Sequence, residues 1–211
     1  MKLYDTPLAP NPRRVRWFMA EKGIEDIEVV TLNLMQGEHK TPDYLGKAGL
    51  ANVPMLELDD GTCITESLAI CRYLEAKYPE PNLFGRTPEE AAVIEMWTRR
   101  AEMMVATPMM VGVRHTHPAM GALEAQVPVI GEHSLTGATR ALKVLDRRLG
   151  ESEWLACDRL TIADIIAFIG LDFGRMVKFR PPEDLTSVAR WADAMRARPA
   201  AKAGMPERPA A

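Results

Sequence analysis

The residues best suited to chemistry fall mainly in one stretch, Val53 to Pro79, VPMLELDDGTCITESLAICRYLEAKYP. Glu66 and Ser67 stand directly before an apolar pattern at helical spacing, Leu68, Ile70, Tyr73, Leu74 and Tyr78. Serine there is a natural N-cap. The helix start behind it offers N–H groups without intrahelical acceptors and the positive end of the dipole. Such a start can hold a small carboxylate, although Ser67 could equally do no more than cap its helix. A similar start is expected at Asn11-Pro12, with Asn11 as N-cap and Pro12 in the first helical position. His115 and His117, in RHTHP, could hold a water or contact a substrate, or cap the end of the helix they close. Alternate histidines also suggest a metal, but no third ligand group stands near, so no metal is expected.

These residues need particular elements to position them. Val53-Pro54 is an X-Pro step, where a cis peptide costs little. Met55–Leu58 reads as a strand, Asp59-Asp60-Gly61 as a tight turn and Thr62–Thr65 as the returning strand. Upstream, Met1–Tyr4 is a short strand, and DTPLAPNP (Asp5–Pro12) is a loop. A helix follows through Val15, Phe18, Met19 and Lys22 to Gly23, then a β-branched strand at Ile27–Leu32 and a short polar helix or loop at Gly37–Leu45. The expected order is βαβαββα, an α+β thioredoxin-like domain over residues 1–79.

A Pro- and Gly-rich linker at 80–87 separates this from an all-helical bundle over 88–211. The bundle is expected to hold a helix from Pro88 to about Val113, one from about Val129, one after Thr161 and one from Glu183 to Arg196. Thr161-Ile-Ala-Asp164 is an acidic capping box ahead of Ile165, Ile166, Phe168 and Ile169. The tail from Pro199 is expected to be loosely ordered.

Composition sets the bounds. A formal net charge of −3 argues against a nucleic-acid partner. No signal core opens the chain, and the apolar run Ile165–Leu171 is too short to span a bilayer. The three cysteines, Cys63, Cys71 and Cys157, show no pairing or metal spacing, which suits a reducing cytoplasm.

Val-Pro, strand, tight turn, strand, then Glu-Ser on a helix resembles the glutathione-binding half of the cytosolic glutathione transferase superfamily. The resemblance implies that Val53, before Pro54, pairs its backbone with the cysteinyl part of glutathione, and that Glu66 and Ser67 hold the γ-glutamyl end. His39 and Lys40, in QGEHKTPDYL, look like the basic stretch that faces the glycyl carboxylate in theta-like members, and Asn52 stands where a residue reaching the same carboxylate is common. The Thr161/Asp164 box fits a structural box of the family's buried helix. Replacing either residue is expected to cost on the order of 1 kcal/mol, more if the site is buried. Glutathione would be a co-substrate, with no tightly bound cofactor, and the chain a homodimer. Its other partner would be a small hydrophobic electrophile or a disulfide.

One departure bears on mechanism. The loop LYDTPLAPNPRRV puts Ala9 at the family's usual serine and Asn11 where cysteine-type members carry their nucleophile. It is similar to an atypical fungal and bacterial theta-like group lacking the Tyr, Ser and Cys. The thiolate would then be held by the Asn11 amide, or by backbone N–H groups around Arg13 and Arg14; Thr6 is a further hydroxyl candidate. Glu102 could reach the γ-glutamyl amine of a neighbouring subunit. Met103, Met104, Met109 and Met110, with Phe173 and Met176, could line a permissive electrophile pocket, and the methionines could instead pack the core or a dimer contact. The reading is a glutathione transferase. A glutathione-dependent disulfide reductase and a non-catalytic glutathione-binding module are the alternatives.

Overall fold

A parallel strand pair needs a crossover helix between its members, and the first thirty residues supply one. The computed structural model describes residues 1–205. Strand β1 (Lys2–Asp5) pairs in parallel with β2 (Glu28–Thr31), and helix α1 (Pro10–Lys22) runs between them. β3 (Met55–Glu57) lies antiparallel on the other side of β1, and β4 (Cys63–Thr65) antiparallel beside β3. The sheet order is β2-β1-β3-β4. With α2 (Pro42–Ala48) before β3 and α3 (Ser67–Lys77) after β4, this is the expected thioredoxin-like order. Leu3, Trp17, Phe18, Leu56, Ile70 and Leu74 are fully buried between sheet and helices. Each contributes about 1.5–3 kcal/mol of hydrophobic stabilisation.

Both helix starts differ from the expected caps. Ala9, not Asn11, is the N-cap of α1, because Pro10 occupies the first helical position, where its missing N–H costs nothing. Glu66, not Ser67, precedes α3 as its N-cap, with φ 65° and ψ 118°, so Ser67 is already helical. Gly23 does end α1, in the left-handed conformation and with its N–H on Ala20 and Met19. The segment expected as a short helix or loop resolves into 3₁₀ turns at Leu34–Gln36 and Glu38–Lys40, then α2, whose first turn is capped by the Thr41 hydroxyl.

The described residues divide into two compact units, Met1–Pro81 with residues 202–205, and Asn82–Ala201. The second is all helical, with α4 (Pro88–Arg100), α5 (Thr107–Thr116), α6 (Pro128–Glu151), α7 (Ile162–Phe173) and α8 (Thr186–Ala197). The single helix expected from Pro88 to Val113 is interrupted by a π-helical segment, Ala101–Ala106, in which the Thr107 N–H reaches the Glu102 carbonyl five residues back. Pro108 is the cause: it has no N–H for the Met104 carbonyl, and its ring crowds the preceding turn, so the helix widens ahead of it. The last helix begins at Thr186, later than expected at Glu183. The tail is not loose from Pro199: Pro199–Lys202 forms a 3₁₀ turn with Ala200 buried, and the Gly204 carbonyl accepts from Leu8 N–H at 3.2 Å. Residues 206–211 of that expectation lie outside the described residues.

Ile162 to Leu171 of α7 are all buried, as befits a helix apolar on every face. At Gly170 a Cβ would meet the Ala106 Cα at 2.5 Å, so only glycine lets α7 approach the π segment. The start of α7 carries one buried carboxylate. Asp164 Oδ2 accepts from the Thr161 N–H and hydroxyl at 3.0 Å each, closing the capping box, while Oδ1 accepts from Leu155 N–H and Trp191 Nε1, also at 3.0 Å. Burial pushes the Asp164 pKa up, against these four donors. No helix among the described residues is long and apolar enough to cross a membrane. Asp164→Ala is expected to cost about 3 kcal/mol or more, since it strands several buried donors, and Thr161→Ala about 1–2 kcal/mol. Urea unfolding checks both; an Asp164→Ala midpoint equal to wild type would contradict the assignment of this carboxylate as the anchor of α7.

Candidate functional site

The β3–β4 pairing sets the first half of the site. Met55 faces Thr65, so the chain just before β3 runs beside the chain just after β4, and Val53-Pro54 lies next to Glu66-Ser67. The Val53–Pro54 peptide is cis. Among the described residues the Val53 N–H and C=O have no protein partner, leaving a short edge open to an extended peptide. Glu66 is exposed and holds a positive φ that residues with a Cβ seldom adopt, a feature that concentrates at ligand sites. Ser67 is buried at the first position of α3, and its Oγ accepts from Arg14 Nη1 at 3.3 Å. With a lone pair so engaged, the Ser67 O–H is left to point at a ligand, beside the orphan amides of the helix start.

The start of α1 is unusual in its donors. Of its first N–H groups, Pro10 and Pro12 remove two, and Arg13 N–H is already used on the Ala9 carbonyl at 3.1 Å. The free amides expected around Arg13 and Arg14 therefore reduce, at this start, to those of Ala9 and Asn11. Asn11 Oδ1 is buried without a partner, and the two ends of a carboxamide are assigned by their surroundings, so this group can present N–H₂ to an anion. Arg13 and Arg14 are buried directly behind, with Arg13 over the Trp17 ring at 5.8 Å, and add positive charge. Leu8, ahead of Ala9, is also left-handed at φ 69°. The Thr6 hydroxyl donates to the Leu32 carbonyl at 2.8 Å, which makes it a brace of the loop.

His39 is buried in its 3₁₀ turn with Nδ1 unpartnered, and burial together with Lys40 lowers its pKa, so it is neutral near pH 7. It can donate or accept a hydrogen bond but is not a standing cation. Lys40 and Asn52 are exposed. The Asn52 carbonyl accepts from the hydroxyl of buried Tyr44, whose pKa burial pushes up to about 12.

In the helical unit, His115 Nδ1 accepts from Val127 N–H at 3.3 Å and His117 Nδ1 from Ala119 N–H at 3.2 Å. Both rings thus cap the segments that follow α5, and each keeps its proton on Nε2. Glu102 accepts from Arg99 at 2.8 Å. Met103 and Met104 are exposed, Met110 and Phe173 half-buried, and Met109 is fully buried core against Gly174. No group of three or more His, Cys, Asp or Glu that could hold a metal occurs among the described residues.

Tyr44 and Arg14 are side chains of this site that no sequence pattern marks: Arg14 acts on a residue 53 positions away, and Tyr44 reaches across the end of α2 to a main-chain carbonyl 8 residues on, outside any helical or strand period. The chain's own thiols are poor nucleophiles: burial raises all three, Cys157 to about 11 and Cys71 beyond it. The open Val53 edge beside the start of α3 suits an extended peptide that ends in a carboxylate.

Residues 9–77 match the family model of the glutathione S-transferase N-terminal domain, and residues 130–199 that of its C-terminal domain. The chain is 39% identical over 206 residues to "Glutathione S-transferase 2" of Saccharomyces cerevisiae, covering 96% of this chain and 88% of that one. A glutathione S-transferase domain-containing protein of Marinobacter aquaeolei superposes with TM-score 0.89 at 40% identity, over 95% of this chain and 99% of the other. Gtt2 of S. cerevisiae superposes with TM-score 0.89 at 38% identity, over 96% and 99%. With both domain models matched and the likeness running the length of the chain, this protein belongs to the glutathione S-transferase family.

Proposed function

We propose that the protein conjugates the thiolate of glutathione to small electrophiles, and that it binds the tripeptide along Val53, Glu66 and Ser67. The observation that carries this is the unpaired Val53 main chain lying beside a helix start with a buried, Arg14-supported serine. In this reading the Val53 N–H and C=O pair with the cysteinyl residue, antiparallel to it. The γ-glutamyl carboxylate docks on the Ser67 hydroxyl and the amides of α3, with Glu66 facing the amine. His39, Lys40 and Asn52 take the glycyl carboxylate. The sulfur then lies at the start of α1, where the Asn11 amide, the free backbone N–H groups and the buried arginines stabilise negative charge. A thiol near 8.5 is little ionised at neutral pH, and each unit of depression requires about 1.4 kcal/mol of preference for the anion.

The thiolate attacks the electrophilic carbon, forming the C–S bond as the leaving group departs. Met110 and Phe173 are the candidate apolar contacts for that substrate, with His115 and His117 offering Nε2–H to a water or leaving group. Val93, Met96, Met103 and Met104 are 40%, 40%, 61% and 40% exposed and recur along α4 and the π segment at helical spacing. We assign this stripe, with Glu102 beside it, to contact with a second copy of the chain, in keeping with a homodimer.

Three outcomes are expected. Ser67→Ala weakens binding of S-methylglutathione, which has no thiol to ionise, about tenfold by calorimetry. Wild type that fails to bind it at all would overturn the proposal. Asn11→Ala raises the pKa of bound glutathione, followed by thiolate absorbance, by about one unit, and lowers kcat/KM for an aryl halide about tenfold. An unchanged titration would assign the task to the backbone amides and arginines alone. A variant series that instead tracks turnover of a model disulfide would favour a reductase. Because His39 is neutral in the free site, a carboxylate docking on it raises its pKa and draws in a proton. S-methylglutathione should thus bind more tightly at pH 6 than at pH 8, by less than tenfold per pH unit, and His39→Gln should flatten the profile.

A further inference from the structure

The strongest unassigned feature of the binding edge is a buried hydroxyl behind it. Tyr44 lies in the first turn of α2, 3% exposed, and its hydroxyl donates to the main-chain carbonyl of Asn52. That carbonyl and the Val53 N–H belong to one peptide unit, which is planar, so they point in opposite directions. A hydrogen bond that fixes the carbonyl of such a unit fixes where its N–H points, and polarises that N–H as a donor. We infer that Tyr44 is a positioning residue of the glutathione site, orienting the Asn52–Val53 peptide plane so that the Val53 N–H meets the incoming tripeptide. The inference rests on the glutathione-binding reading above.

The surroundings hold the Tyr44 ring in place. Its edge meets the ring of Tyr4 with centroids 5.9 Å apart at 74°, and the Tyr4 hydroxyl donates to Glu57 at 2.7 Å. Lys47, one turn after Tyr44 on α2, reaches Glu57 at 3.3 Å and lies over the Tyr4 ring at 5.8 Å. Thr41 caps the turn by accepting from the Tyr44 N–H at 3.4 Å. The Val53 N–H itself has no protein acceptor among the described residues, so the force on its peptide plane comes from the carbonyl side. A ring that only filled space would not need its hydroxyl. Phenylalanine in its place would leave the Asn52 carbonyl without this donor.

The test compares Tyr44→Phe, which keeps the ring, with Tyr44→Leu, which removes it. In Tyr44→Phe the Kd for S-methylglutathione and the KM for glutathione are expected to rise five- to tenfold. kcat at saturating glutathione should stay within twofold of wild type, because the sulfur's surroundings at α1 are untouched. In the ligand-free protein, the Val53 amide proton resonance should move upfield as its peptide loses the hydrogen bond. Equal binding by wild type and Tyr44→Phe, with loss only in Tyr44→Leu, would make Tyr44 a packing residue and overturn the inference. So would an unmoved Val53 resonance, whatever the binding result. Wild type that binds no S-methylglutathione while the Val53 resonance still moves would sink the glutathione reading but not the positioning of the peptide.

Discussion

The register of one short antiparallel pair governs the site. With Met55 opposite Thr65, the chain before β3 and the chain after β4 must run side by side, and a shift of one residue would turn every side chain of the pair to the other face. Leu56 and Met55 are fully buried, so the apolar core enforces that register. It leaves Val53 with an unused main-chain edge and brings it to the positive end of α3. A peptide ligand needs those two features together: backbone groups for its own backbone, and a partial positive charge for its carboxylate.

The unit that holds this edge keeps polar groups in reserve. Ser67 is buried and supported by Arg14, Asn11 has a buried oxygen with no partner, and His39 keeps a buried ring nitrogen unpaired. Buried polar atoms without partners are costly, of order 1–3 kcal/mol each, and folding alone gives no reason to keep them. The doubled proline of APNP works in the same direction, because it strips the start of α1 of competing donors and leaves Asn11 prominent.

In the helical unit one buried carboxylate is the contrasting case. Asp164 takes four donors from three segments of chain, tying the start of α7 to Leu155 and Trp191. The neighbouring π segment is a local compromise: Pro108 forbids a regular helix, and the widened turn lets Ala101, Val105 and Ala106 stay buried while Met103 and Met104 face out. The histidines at the end of α5 spend Nδ1 on backbone N–H groups, so whatever chemistry they do falls to Nε2.

Local pattern was sufficient for much of this. The βαβαββα order, the turn at Asp59–Gly61, the stop at Gly23 and the Thr161–Asp164 box all follow from periodicity, turn residues and caps, which act over a few residues. The exact helix starts did not, because Pro10 could begin a helix as well as Pro12, and because the left-handed Glu66 is held by its surroundings against its own preference. Pro108 was visible, yet whether a helix breaks, kinks or widens at proline depends on what packs against it. Arg14 on the Ser67 hydroxyl and Tyr44 on the Asn52 carbonyl were decided only in the folded chain: the first pair lies 53 residues apart, and the second, although only 8 residues apart, is joined across the end of α2 and the loop to β3, so neither leaves a periodic trace.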